Sequence, residues 1–323
     1  MKESHILRAR FTTGALFFVL LLGGCATPQT RVLLQNKPQA IASSSEISGV
    51  PFFPQSKYQC GPATLAMTLN WAGVKVTPDL LVPEVFIPAK KGSLQVEMMV
   101  TARRHGTVAY VLEPELTDIL TEISAGHPVI VFQNLGLSWY PVWHYAVAVG
   151  YDLNSQYILL HTGTDQRRKI SFKTFEHTWA RGGYWAMLTM PPDRLPQTAR
   201  EIPYLKAAIA LEKTGKPQQA IQAYEAALAR WPQSLTAQMG RGNAYYTLGD
   251  TQKAEQAFYQ AALDHPESGA AFNNLAQTYA DQKRYREALA AAEKAVKLDS
   301  ASAIYKETLK DIRTLIERTS ATR

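Results

Sequence analysis

Cys60, His144 and Gln55 are the residues whose types and spacing could carry covalent chemistry. Cys60 opens the run Cys60-Gly61-Pro62-Ala63, which follows an extended, proline-containing stretch from Val50 and leads into an apolar segment ending near Trp71. Thiolate is the nucleophilic form of cysteine. A helix that begins at the cysteine stabilises it through unpaired N–H groups and the macrodipole, so this placement is expected to lower the thiol pKa. Gly61 would permit close approach by a substrate, and Pro62 suits the first helical turn, where its missing N–H is no loss. His144 begins the apolar run Tyr145-Ala146-Val147-Ala148-Val149. A strand end of this kind is a rigid mount that can hold an imidazole against the helix carrying Cys60. Gln55 can direct its amide N–H₂ at an oxyanion forming beside the backbone N–H of Cys60; Gln59 is a rival, less well placed because it adjoins the cysteine. The other histidines, His5, His105, His127, His161, His177 and His265, form no metal-ligand spacing with cysteine, so neither metal nor cofactor is expected.

The elements that must position these groups mix two periodicities. Ala63–Trp71, Gln95–His105 and Leu116–Ser124 read as helices, whereas Val129–Gln133, Tyr145–Tyr151, Tyr157–His161 and Tyr184–Met190 are β-rich. Helices first and strands later predict an α+β domain over residues 49–191. Three prolines between Pro191 and Pro196 end it, and 192–200 reads as a linker. Beyond it a 34-residue period appears: Ala220, Ala254 and Ala288 align, as do Ala227, Ala261 and Ala295, and Ala208, Gly242 and Ala276. Tyr224 matches Phe258, and Pro232 matches Pro266. Small residues let paired helices approach, the aromatics fill the groove between units, and the prolines end each second helix. The pattern resembles the tetratricopeptide repeat: three units over 201–302, the third departing at Ala292 and Ser300, then a capping helix and tail over 303–323. The all-α solenoid this implies would recruit a protein or peptide.

Gln55, Cys60-Gly61-Pro62-Ala63 and the strand opened by His144, preceded by Gly126-His127-Pro128-Val129-Ile130-Val131, together resemble the peptidase C39-like family, related to the double-glycine peptidases, over about residues 49–190. The resemblance implies a papain-like cysteine peptidase with Cys60 as nucleophile, His144 as general acid/base and Gln55 as oxyanion donor. It also implies an Asp on the next strand to orient the imidazole. This chain departs there: Tyr157-Ile158-Leu159-Leu160 runs into His161-Thr162-Gly163-Thr164-Asp165, and strand register puts Thr162 at that place, with His161 or Asp165 as alternatives. A threonine hydroxyl can accept an imidazole N–H but stabilises imidazolium less than a carboxylate does.

The N-terminus carries an address. Lys2, Arg8 and Arg10 precede the uncharged stretch Gly14–Leu22, too short to span a bilayer, so 1–24 reads as a secretory signal. Leu22-Gly23-Gly24-Cys25 resembles a bacterial lipobox, which implies acylation of Cys25 and, with Ala26 following, an outer-membrane anchor facing the periplasm. Residues 25–48, polar with Pro28, Pro38 and Ser43-Ser44-Ser45, read as a tether. Cys25 and Cys60 are the only cysteines, so no structural disulfide is expected. The net charge of +7 is mild and dispersed, which argues against nucleic acid as a partner. Two functions fit: a lipid-anchored peptidase, or an envelope scaffold whose peptidase domain has lost its activity.

Overall fold

Residues 27–36, 38, 40–55 and 59–321 are described by a computed structural model. The signal segment and Cys25 lie outside the described residues. Among those described, no helix is long and apolar enough to cross a membrane.

The β-branched and aromatic runs form one antiparallel sheet of seven strands: β1 (Ser44–Glu46), β2 (Val108–Val111), β3 (Val129–Asn134), β4 (Trp143–Asp152), β5 (Tyr157–Thr162), β6 (Asp165–Ser171) and β7 (Ala186–Met190). Their order is β2-β7-β3-β4-β5-β6, and β1 pairs with the far end of β4, beyond the last pair that β3 makes there. Alternation along β4 sends Tyr145, Val147 and Val149 to one face and Ala146 and Ala148 to the other. On the first face lie α2 (Cys60–Trp71), α3 (Pro78–Val85) and α4 (Gln95–Arg104). On the second lie α5 (Leu116–Ser124) and α6 (Phe172–Arg181).

The described residues of the expected 25–48 tether are not free. Pro28–Gln35 form a helix, α1, whose Leu33 is buried. Its first N–H groups, which have no partner within a helix, are taken by the buried carboxylate of Glu176: Gln29 and Thr30 donate to it at 3.0 and 2.7 Å. The serines pair as β1 because β4 outlasts β3 and leaves an open edge. Polar composition conceals both elements, since their partners lie far off in sequence: Glu176 is 147 positions from Gln29, and Ser44 pairs with Asp152. β6 and α6 were equally unmarked; β6 is a charged edge strand with Arg167, Arg168 and Lys169 exposed.

The C-terminal part is a stack of helices: α7 (Glu201–Glu212), α8 (Pro217–Arg230), α9 (Leu235–Thr247), α10 (Thr251–Asp264), α11 (Gly269–Asp281), α12 (Tyr285–Leu298) and the capping α13 (Ala303–Ala321). Ser234, Asp250 and Ser268 cap three of them by accepting from the N–H three residues on. A Cβ on Gly242 would fall 2.6 Å from Phe258 Cδ1, and one on Gly240 2.6 Å from Tyr224 Cε1, so these glycines admit the rings. The stack is not hinged on its linker. Glu122, fully buried on α5, accepts from Thr198 N and Oγ1 at 2.6 Å and from Gln197 N at 3.2 Å, and Tyr110 and Tyr204 share one core.

Candidate functional site

Cys60 is half-buried and begins α2, whose residues Gly61 to Leu69 are all buried, so the helix start is firmly seated on the sheet. The thiol receives the backbone N–H of Tyr145, the residue after His144, and those of Gly61 and Cys60 itself. These donors favour thiolate, as the helix-start argument requires, but burial is the larger effect and pushes the thiol pKa up. The expectation of a lowered pKa therefore fails in its sign: the same packing that aims the N–H groups also removes water.

His144 pairs across from Gln133 at the root of β4. Its Nε2 lies 2.7 Å from Thr162 Oγ1, and no hydrogen bond occupies its Nδ1 among the described residues. Burial, and secondarily the charge of Arg168, lower its pKa to about 4, so the ring is neutral near neutrality. Of the three candidate orienters, Thr162 alone meets it. His161 points to the opposite face, its ring edge-on to Phe52 and its Nδ1 accepting from Arg167 N at 3.4 Å. Asp165 is exposed and pairs with Arg168. Alternation along β5 separates 161 from 162, and the turn carries 165 into solvent.

The backbone N–H of Gln55 donates to Gly163 O at 2.9 Å, which ties its segment to the turn after Thr162. Both amide atoms of the Gln55 side chain are shielded from water and have no partner among the described residues. A buried, unpaired amide is costly in isolation and accounts well for a group awaiting a ligand oxygen. The Gln59 carbonyl, by contrast, accepts from Ala63 N at the start of α2. Three stretches distant in sequence are thus linked: that of Gln55 and Cys60, that of His144 and that of Thr162, with Gln55 on the turn after Thr162, Thr162 on His144, and the strand of His144 on Cys60.

Ser93 is a neighbour that the sequence did not mark. A Cβ on Gly61 would lie 2.6 Å from Ser93 Cβ, so Gly61 admits Ser93 and not, as expected, a substrate. The Ser93 carbonyl accepts from Tyr145 Oη at 3.2 Å, and its own hydroxyl is buried without a partner among the described residues. Nothing in its local sequence, Lys91-Gly92-Ser93-Leu94, signals this contact. A concavity of about 630 Å³ lies in the helical stack and is lined by Glu212, Tyr224, Met239 and Asn243 among others.

Residues 47–187 match the model of the peptidase C39 like family, and residues 205–266 and 269–302 match tetratricopeptide repeat models. No curated protein matches the chain. Among solved structures, one described as a C39-like peptidase from Bacillus anthracis is similar at 19% identity with a TM-score of 0.39, covering 46% of this chain and 97% of its own. The Sgt2 repeat domain from Aspergillus fumigatus is similar at 23% and 0.37, covering 38% and 83%. The first repeat domain of human RPAP3 is similar at 17% and 0.36, covering 38% and 97%. The chain therefore joins a sheet domain that matches the peptidase C39 like family, with Cys60 at a helix start and His144 at a strand root, to a stack of helices that matches tetratricopeptide repeats.

Proposed function

We propose that this protein is a cysteine peptidase of the cell envelope, attached through acylated Cys25 to the periplasmic face of the outer membrane, whose repeats recruit a protein or peptide. The observation that carries the reading is the chain of contacts that runs from Gln55 to Gly163 beside Thr162, from Thr162 to His144, and from Tyr145, next to His144, to the Cys60 thiol. His144 Nδ1 takes the thiol proton as Cys60 Sγ attacks a peptide carbonyl carbon. The carbonyl π pair moves onto oxygen, which accepts from Gln55 N–H₂ and the Cys60 N–H. Collapse of that intermediate breaks the C–N bond, and imidazolium returns the proton to the leaving amine. Water then attacks the thioester, giving its proton to His144, and the thiol is restored as the acid leaves. Nε2–H of His144 donates to Thr162 Oγ1 throughout, which leaves Nδ1 free for this traffic.

Cys60→Ala is expected to abolish peptide cleavage and iodoacetamide labelling at that position while the circular dichroism spectrum is unchanged. Hydrolysis persisting in the variant overturns the assignment.

A second reading, a scaffold whose peptidase domain is silent, draws on two observations: a neutral Thr162 stands where the family's acid would be, and burial raises the thiol pKa. Iodoacetamide titration separates them. A thiol that stays unmodified up to alkaline pH favours the scaffold, and labelling near neutrality favours the enzyme.

A further inference from the structure

Six of the large apolar side chains exposed on the sheet domain gather within residues 135–143. From the end of β3 to the first residue of β4 the chain reads Leu135-Gly136-Leu137-Ser138-Trp139-Tyr140-Pro141-Val142-Trp143, without a charge, and Trp139 is 80% exposed and Tyr140 68%. The turn is built, not slack. Asn134 Oδ1 accepts from Gly136 N and Val142 N, both at 2.9 Å, and Leu137 and Tyr140 exchange backbone hydrogen bonds at 3.1 Å. An ordered turn that holds two aromatic rings out into water marks an interaction surface.

Register shows where it points. Phe132 N donates to Trp185 O and Leu112 N to Ala186 O, so residues 112–116, 132–134 and 185 share one end of the sheet, the end from which the turn projects. The start of α1 is pinned there too. The Gln29 side chain donates to Pro114 O at 2.9 Å and accepts from Leu116 N. Glu176 holds the Gln29 and Thr30 amides, and Arg181, roughly 7.5 Å further along α6 at 1.5 Å per residue, donates to Asn134 O at the root of the turn. Cys25 precedes Gln29 by four residues, a reach of at most roughly 14 Å. Acyl chains on Cys25 would therefore bring a bilayer surface to the end of the sheet that carries the aromatic turn.

We propose that residues 135–143 dock into the interfacial layer of that bilayer, with Trp139 and Tyr140 at headgroup level, so that the end of the sheet carrying Cys60 and His144 faces the membrane surface. The proposal rests on the lipid attachment at Cys25 put forward above. Tryptophan and tyrosine, with an apolar body and a polar tip, favour that layer, and the turn has no charge to desolvate there. Such an orientation selects, as substrate, a peptide segment held close to the bilayer, such as the membrane-proximal stretch of another anchored protein.

The test uses the processed full-length protein in phosphatidylethanolamine–phosphatidylglycerol vesicles, with and without phospholipid brominated near the headgroup end of its chains. Tryptophan emission is expected to shift to the blue and to be quenched by the brominated lipid, and Trp139→Phe to lose most of that quenching with flotation and circular dichroism unchanged. The mass of the Cys25 peptide is read separately. Acylated protein that floats without quenching, or quenching that survives Trp139→Phe undiminished, overturns the docking and leaves the anchor standing. Quenching with an unmodified Cys25 overturns the anchor and leaves the docking standing, and failure to float overturns both.

Discussion

The two halves of this molecule are specified in opposite ways. In the repeat stack, each helix packs on neighbours close in sequence, and the aromatic that fills a groove meets its glycine 16 residues away, as Phe258 and Gly242 do. In the sheet domain, the candidate site groups come from positions 55, 60, 144 and 162, and each is held by a contact from another segment. Local specification yields a pattern that repeats and tolerates erosion, as at Ala292, which is buried without an aromatic. Long-range specification yields a single site in which one misplaced backbone group matters. The seam between the halves belongs to the second kind, because the core of the sheet domain runs through Tyr204 and Ala208 into the first repeat.

The sharpest way to break this contrast is Phe258→Ala. Removing a buried ring from the second repeat should lower the opening free energy of α9–α12 by about 4 kcal/mol, read by hydrogen exchange. If stability is local, iodoacetamide labelling of Cys60 stays as it was; a change there would show the halves to be one cooperative unit. Glu122→Ala should do the reverse. It strips a fully buried acceptor from Gln197, Thr198 and His127, so denaturant unfolding should show a loss of about 3 kcal/mol felt on both sides of the seam. A loss confined to the repeats would mean that the linker docking is weak.

Within the site, Gln55→Ala should reduce kcat about 100-fold with KM little changed, since an oxyanion donor acts on the transition state. A raised KM with kcat unchanged would assign the amide to substrate binding instead. Thr162→Val removes one hydrogen bond, about 1 kcal/mol, and should lower kcat several-fold. The pH profile is the finer instrument. His144 must be neutral to accept the thiol proton, and its pKa is lowered to about 4, so kcat/KM should hold as pH falls from neutrality and drop only as pH passes through about 4. Thr162→Asp places a carboxylate beside the ring, favours imidazolium and should move that acid limb upward; an unmoved limb would show that residue 162 does not face the imidazole.

Much of the scaffold was legible from the residues alone, and for identifiable reasons. Val129–Gln133 and Tyr157–His161 are apolar and β-branched because they are buried, and the observed strands begin where those runs begin. The repeat period is visible because the same packing problem recurs every 34 residues. α1, β1 and β6 were invisible because their stabilising groups, Glu176 and the open edges of β4 and β5, lie elsewhere in the chain and leave no trace in local composition.

The same division runs through the chemistry. The sequence by itself determined which groups are available: a thiol at a helix start, an imidazole at a strand root, an amide upstream, and a threonine where an acid was expected. Only the tertiary structure decided between Thr162, His161 and Asp165, because strand alternation and the turn, not residue type, choose which side chain faces the ring. It also decided the ionisation of the pair. Whether a cysteine at a helix start is a stabilised thiolate or a buried thiol depends on how much water packing removes, and desolvation is a property of the whole fold.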